Sequence, residues 1–233
     1  MKDRKIILDT ETTGMNKFGV HYLGHRIIEI GAVEIVNRKI TNNIFHTYIN
    51  PNRKIEKEAF LIHKIDEKFL QNKPKFHEIA EKFINFIQNS ELIIHNAKFD
   101  VGFINYELSF LKYKIKKIEE ICKIVDTLKI ARSLFPGKPN NLDALCSRYS
   151  IGKEKRKIHS AILDAKILAN IFLKMTGGQT LMDFRKKYEN KKIIYQKKNR
   201  KIRVLFPSIE EEKEHKKSMD IIQKNSGFCY WNR

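Results

Sequence analysis

Cysteine is scarce in this chain: Cys122, Cys146 and Cys229 stand far apart among 233 residues. That number and spacing exclude a disulfide framework and a zinc knuckle, and they fit a reducing, cytoplasmic setting. Long apolar runs are missing as well. At the N-terminus Ile6, Ile7 and Leu8 are cut short by Asp9, so no stretch there has the length of a signal peptide or a membrane span. There is no glycine-rich phosphate loop and no internal repeat, which removes the P-loop and solenoid architectures. Acids are in short supply too: 27 Asp and Glu stand against 46 Lys and Arg, giving a formal charge of +19. Such an excess suits a polyanionic partner such as nucleic acid. Lys, Ile, Asn and Phe are nevertheless the residues of A/T-rich codons, so charge alone does not assign that partner.

What is present reads as an α/β domain with a mixed central sheet. "KIILDTE", "RIIEIGAVEIV" and "NIFHTYIN" are rich in Ile and Val, closely spaced and separated by turn residues, which predicts a strand meander. The period then changes. In "EIAEKFINFIQN", Ile79, Phe83, Phe86 and Ile87 form a helical stripe, and "LIIHNA" follows as a short strand. "FDVGFINYELSFLK" predicts a helix whose Phe99, Phe103, Tyr106 and Phe110 are read as core rather than as a base-stacking platform. "KIVDTLKIARSLFPG" predicts a strand running into a helix, and "NNLDALCSRY" and "SAILDAKILANIFLKM" two more helices, the last stopped by Gly177 and Gly178. The folded domain is expected over residues 1–180, a basic flexible linker over 181–202, and a C-terminal segment over 203–233. That segment ends in Phe228, Tyr230 and Trp231, which need a partner surface to bury them.

Against this background, four acids beside apolar structure stand out. Asp9 and Glu11 are two apart at the end of the first strand and therefore share a face. At a separation of about 4–5 Å and an effective dielectric of about 20, they repel by about 3–4 kcal/mol unless a cation compensates. Asp100 in "HNAKFD" follows a strand end, and Asp164 in "HSAILDA" sits within a helix. Clustered carboxylates tolerate one another around hard divalent ions such as Mg²⁺ or Mn²⁺, and a pair of such ions suits phosphoryl displacement. His159 lies about 140° from Asp164 on a helical wheel, which places it in the preceding loop or first turn. From there a near-neutral imidazole can take the proton of an attacking water.

Together "LDTETTG", "HNAKFD" and "HSAILDA" resemble the three motifs of the DEDDh branch of the DnaQ-like 3′→5′ exonucleases. Within that branch "GHRIIEIGAVEIVNRKIT", "FPGKPNNLDALCSRY", "MTGGQT" and the ending "GFCYW" resemble the proofreading (epsilon) subunits of bacterial DNA polymerase III. The resemblance implies an RNase H-like five-stranded mixed sheet flanked by helices and followed by a flexible C-terminal tail. It implies removal of mispaired 3′-terminal nucleotides as 5′-monophosphates. It also implies direct metal ligation by Asp9, Glu11 and Asp164, support of a second metal by Asp100, and a general-base role for His159. Glu58 and His63 of "KEAFLIHKI" would line the terminal-nucleotide pocket, with Thr10 and Thr12 seating the nucleotide through their backbones. The implied partners are a DNA 3′ end, the polymerase (alpha) subunit reached through residues 203–233 and, as in some relatives, a small theta subunit. The Lys- and Asn-rich linker departs from the Gln-, Gly- or Ala-rich one of the family, and its charge favours an extended chain at low salt. An alternative within the DEDDh branch is an exoribonuclease that trims RNA 3′ ends; it would need no hook for a partner.

Overall fold

A computed structural model describes residues 3–111, 115–152, 159–177 and 206–227. They divide into two compact units, Met1–Leu181 and Met182–Arg233.

The first unit is built on five strands, β1 (Arg4–Thr12), β2 (Ile27–Val36), β3 (Lys39–Tyr48), β4 (Glu91–Ile94) and β5 (Lys123–Asp126), in the spatial order β3-β2-β1-β4-β5. The first three pair antiparallel, whereas β4 and β5 run parallel to β1 and to each other. The expected meander and mixed five-stranded sheet are therefore both found. The β2–β3 connection is a two-residue turn in which Asn37 and Arg38 both have positive φ, 49° and 63°, as the twist of a tight hairpin demands. Arg38 also donates to the carbonyl of Leu173, at 2.7 Å, and so ties the hairpin to the last turn of the domain's final helix.

Helices cover both faces of the sheet: α1 (Lys57–His63), α2 (Glu67–Leu70), α3 (Phe76–Ile87), α4 (Ala97–Ser109), α5 (Thr127–Leu134), α6 (Leu142–Arg148) and α7 (Ala161–Met175). The alternation of β1 separates two cores. Ile6 and Leu8 pack with Phe83 of α3 and Phe103 of α4, and Ile7 packs with Leu145 of α6 and Leu168 and Phe172 of α7. The strand expected over "LIIHNA" stops at Ile94, the end of its apolar run, and Asn96 turns into the left-handed conformation at φ 62° to start α4. Of the four aromatics read as core on α4, only Phe103 is fully buried. Phe110, the C-cap that follows the last helical residue of α4, is 55 % exposed, with the Arg26 guanidinium 5.1 Å above its ring.

In the second unit the described residues form α8 (Ile209–Ser226). Ser208 and Glu211 close its N-terminus as a reciprocal capping box, and Gly227 ends it at φ 71°. The sequence reading has no helix at this position. The linker residues 181–202 and the terminal Phe228, Tyr230 and Trp231 lie outside the described residues.

Candidate active site

The odd positions of β1 point to the side of α7, so Asp9 and Glu11 continue the row begun by Ile7. Across the strand register Asp9 faces Gly31 and Glu11 faces Glu29. Gly31 is needed for its lack of a side chain: a Cβ there would lie 2.2 Å from the backbone nitrogen of Ile162 and 2.3 Å from the carbonyl carbon of Ala161. The first turn of α7 can thus lie directly on β2, and this brings the buried Asp164 over the end of β1. Ligand atoms of Glu11, His159 and Asp164 all fall within 4.8 Å of one another. His159 Nδ1 is 3.3 Å from Asp164 Oδ2. As expected, His159 precedes the helix, and its backbone N–H donates to the carbonyl of Ile62, which ties this loop to α1.

The even positions of β1 serve the other face. Thr10 donates its hydroxyl to Asp100 Oδ1 at 2.7 Å, and Asp100 sits in the first turn of α4. Burial pushes the Asp100 carboxyl up to about 7, with the nearby negative charge of Asp126 adding to the shift. The four acids therefore reach the end of β1 from two sides: Asp9, Glu11 and Asp164 from the α7 side, Asp100 from the α4 side. Asp9 and Asp100 stand outside the 4.8 Å group.

A cavity of about 270 Å³ opens from Glu11, bounded by Met15, Glu56, Glu58, His63 and Phe99. Glu58 forms an exposed ion pair with Lys17 at 3.1 Å. His63 is buried, and its Nδ1 accepts from the N–H of Ile65 at 3.0 Å. Burial lowers its pKa, so the ring is neutral at pH 7. The sequence reading finds Glu58 and His63 only through family likeness, and it misses Met15, Glu56 and Phe99 as cavity walls. Phe99 packs partly against the α3–α4 core and also borders the cavity; its position next to Asp100 was the available signal. Thr12 borders the same cavity.

Two carboxylates and an imidazole converging at ligand distance suit a hard divalent cation, which prefers oxygen donors. Asp9, two residues from Glu11 on the same face, extends the oxygen-rich side of the group.

A family model for exonucleases matches residues 6–172. The chain is 50% identical to the DNA polymerase III subunit epsilon of Escherichia coli K12, over 98% of this chain and 97% of that protein. It is also 50% identical to the subunit of the same name from Buchnera aphidicola of Acyrthosiphon pisum, over 99% of each. Among solved structures, exonuclease X in complex with 5′ overhanging duplex DNA superposes with a TM-score of 0.58 at 25% identity, over 76% of this chain and 94% of that one. The nuclease domain of a DEDDh family member bound to rAMP gives a TM-score of 0.60 at 20% identity, over 75% and 92%, a likeness of fold.

Proposed function

Since the chain belongs to the exonuclease family of DNA polymerase III epsilon subunits, we propose that it is the proofreading subunit of a replicative polymerase, with Asp9, Glu11, Asp164 and His159 as its reactive centre. The convergence of Glu11, His159 and Asp164 within 4.8 Å is the observation that carries this reading. Asp9, Glu11 and Asp164 would hold two divalent cations, Mg²⁺ or Mn²⁺, with Asp100 supporting the second from the α4 side. When bound, such ions supply charge neutralisation and an in-line clamp for phosphoryl displacement.

The protein's own groups account for the rest of the reaction. The 270 Å³ cavity receives the terminal nucleoside between Phe99 and Met15, with Glu58 and His63 on its wall. Its modest size suits one unpaired nucleotide, so a frayed end enters at lower cost than a paired one. His159 takes the proton of the water that attacks phosphorus, and Asp164 at 3.3 Å orients the ring. The bond from phosphorus to the 3′ oxygen of the preceding nucleotide breaks. A 5′-monophosphate leaves, and the departing 3′ oxygen takes a proton from solvent water, so the shortened strand keeps a 3′ hydroxyl.

Residues 203–233 would join the chain to the polymerase subunit, as an exposed α8 with Phe206, Ile209, Ile221 and Ile222 in the open is consistent with. A theta-like subunit is a further partner of the same family reading. No described helix is long and apolar enough to cross a membrane. The decisive assay presents matched and mismatched DNA primers and an RNA of the same sequence, each with Mg²⁺ and with a chelator. Faster removal of the mismatched DNA end, abolished by chelation, is expected. Equal rates on both primers, or activity confined to RNA, would replace proofreading with the exoribonuclease alternative.

A further inference from the structure

We propose that Glu29 is a positioning residue that holds the segment carrying His159 and Asp164 in its reactive place, an inference that rests on the exonuclease reading above. Glu29 lies on β2 directly opposite Glu11 and is 0 % exposed. A third carboxylate on a face that already bears Asp9 and Glu11 adds to their repulsion, so apolar packing gives no reason for it. Its oxygens are engaged by the start of α7. Oε1 accepts from the Ser160 hydroxyl at 2.9 Å, and Oε2 accepts from the Ala161 N–H at 3.1 Å. His46 Nε2 stands 2.8 Å from Oε1 and holds the carboxylate from the β3 side.

The behaviour of Ser160 is the second observation. It is the N-cap of α7, where a serine ordinarily turns its hydroxyl onto an N–H of its own helix. Here it makes no such cap; the hydroxyl goes to Glu29, and Glu29 also takes the first N–H of the helix. A local cap would stabilise the helix wherever it lay. A cap supplied by β2 stabilises it at one point on the sheet, two residues from the Gly31 notch that receives Ala161 and Ile162. His159 immediately precedes this turn and Asp164 ends it, so both move if it moves. Glu29 is outside the group formed by Glu11, His159 and Asp164, and it acts through the backbone that carries two of them.

The experiment compares full-length Glu29→Ala, Glu29→Gln and Ser160→Ala by steady-state hydrolysis of a single-stranded DNA oligonucleotide. The ring C–H resonances of His159 are followed in the same proteins without metal. Misplacing a reactive group by about 1 Å costs about 10²-fold, so Glu29→Ala should lower kcat about 30- to 100-fold while KM stays within about threefold. Gln can offer its oxygen to Ala161 and its amide to the Ser160 oxygen, so Glu29→Gln should recover kcat to within about fivefold of wild type. Ser160→Ala should fall between the two. The His159 resonances should shift or broaden in Glu29→Ala and Ser160→Ala and stay near wild type in Glu29→Gln. Wild-type kcat in Glu29→Ala, or a loss in a folded protein that Gln does not recover, overturns the proposal. If Glu29→Ala does not fold, Ser160→Ala decides: an unchanged kcat with unchanged His159 resonances refutes it. A wild-type chain without nuclease activity would sink the exonuclease reading, whereas the ring resonances report on the positioning in either case.

Discussion

Gly31→Ala tests whether the active site depends on the contact between β2 and α7. The added Cβ would meet the Ile162 nitrogen at 2.2 Å, and ordinary contact begins at 3.4 Å, so α7 must retreat by about 1.2 Å, the difference of the two. Neither neighbour can swing aside, because both atoms are backbone. Overpacking of this kind costs about 1–3 kcal/mol. At about 2–4 °C per kcal/mol for a unit of this size, the melting temperature should drop by about 2–12 °C. The larger effect is catalytic, since Asp164 rides on the displaced helix and His159 on the loop before it: hydrolysis should slow about 10²-fold. Gly152→Ala is the matched control, with nothing among the described residues within 4 Å of its added Cβ. Melting curves and initial rates on a mismatched primer read both effects. Melting within about 1 °C of wild type together with a rate within about twofold would refute the close-packing argument.

Other substitutions probe the remaining parts of the unit. Asp9→Ala should reduce turnover by about 10³-fold, yet melt at or above the wild-type temperature in metal-free buffer because a like charge beside Glu11 is gone. A fall of many degrees would instead make Asp9 a structural residue. Arg26 grips the buried Glu107 through Nε and Nη2 at 2.8 and 2.6 Å, so Arg26→Ala should cost about 3–5 kcal/mol in urea unfolding. A loss under about 1 kcal/mol would contradict that pairing. His63 is held below its ordinary pKa by burial, so below about pH 6.5 the unfolded chain binds the proton more readily than the fold does. Its share of stability is complete above that pH and is lost as pH falls. Wild type should accordingly lose more stability between pH 7.5 and 5.5 than His63→Phe. Equal losses would show that His63 does not titrate differently in the two states.

How legible the site was in the sequence depends on the range of the interaction concerned. The shared face of Asp9 and Glu11 is a property of one strand, and it reads from alternation alone because successive side chains must point to opposite sides. The location of His159 before α7, likewise, follows from helical angles. Glu56 gives no such signal and Phe99 only its place beside Asp100: their positions on the cavity wall depend on the loop after β1 meeting α1 and α4, elements distant in sequence. Phe99 shows the ambiguity well, since an aromatic in a helical stripe serves core and cavity with the same spacing.

By itself the sequence determined the order of the five strands and of helices α3 to α7, the acids at their ends and, through its motifs, the exonuclease family. Only the tertiary structure decided which sides those acids approach from: Asp164 through the notch at Gly31, Asp100 through the Thr10 hydroxyl on the opposite face. It also decided that Ser160 leaves its own helix uncapped for Glu29. The physical reason is that periodicity is set within a few bonds of backbone, whereas a close approach or a cap from another element exists only once distant segments have packed.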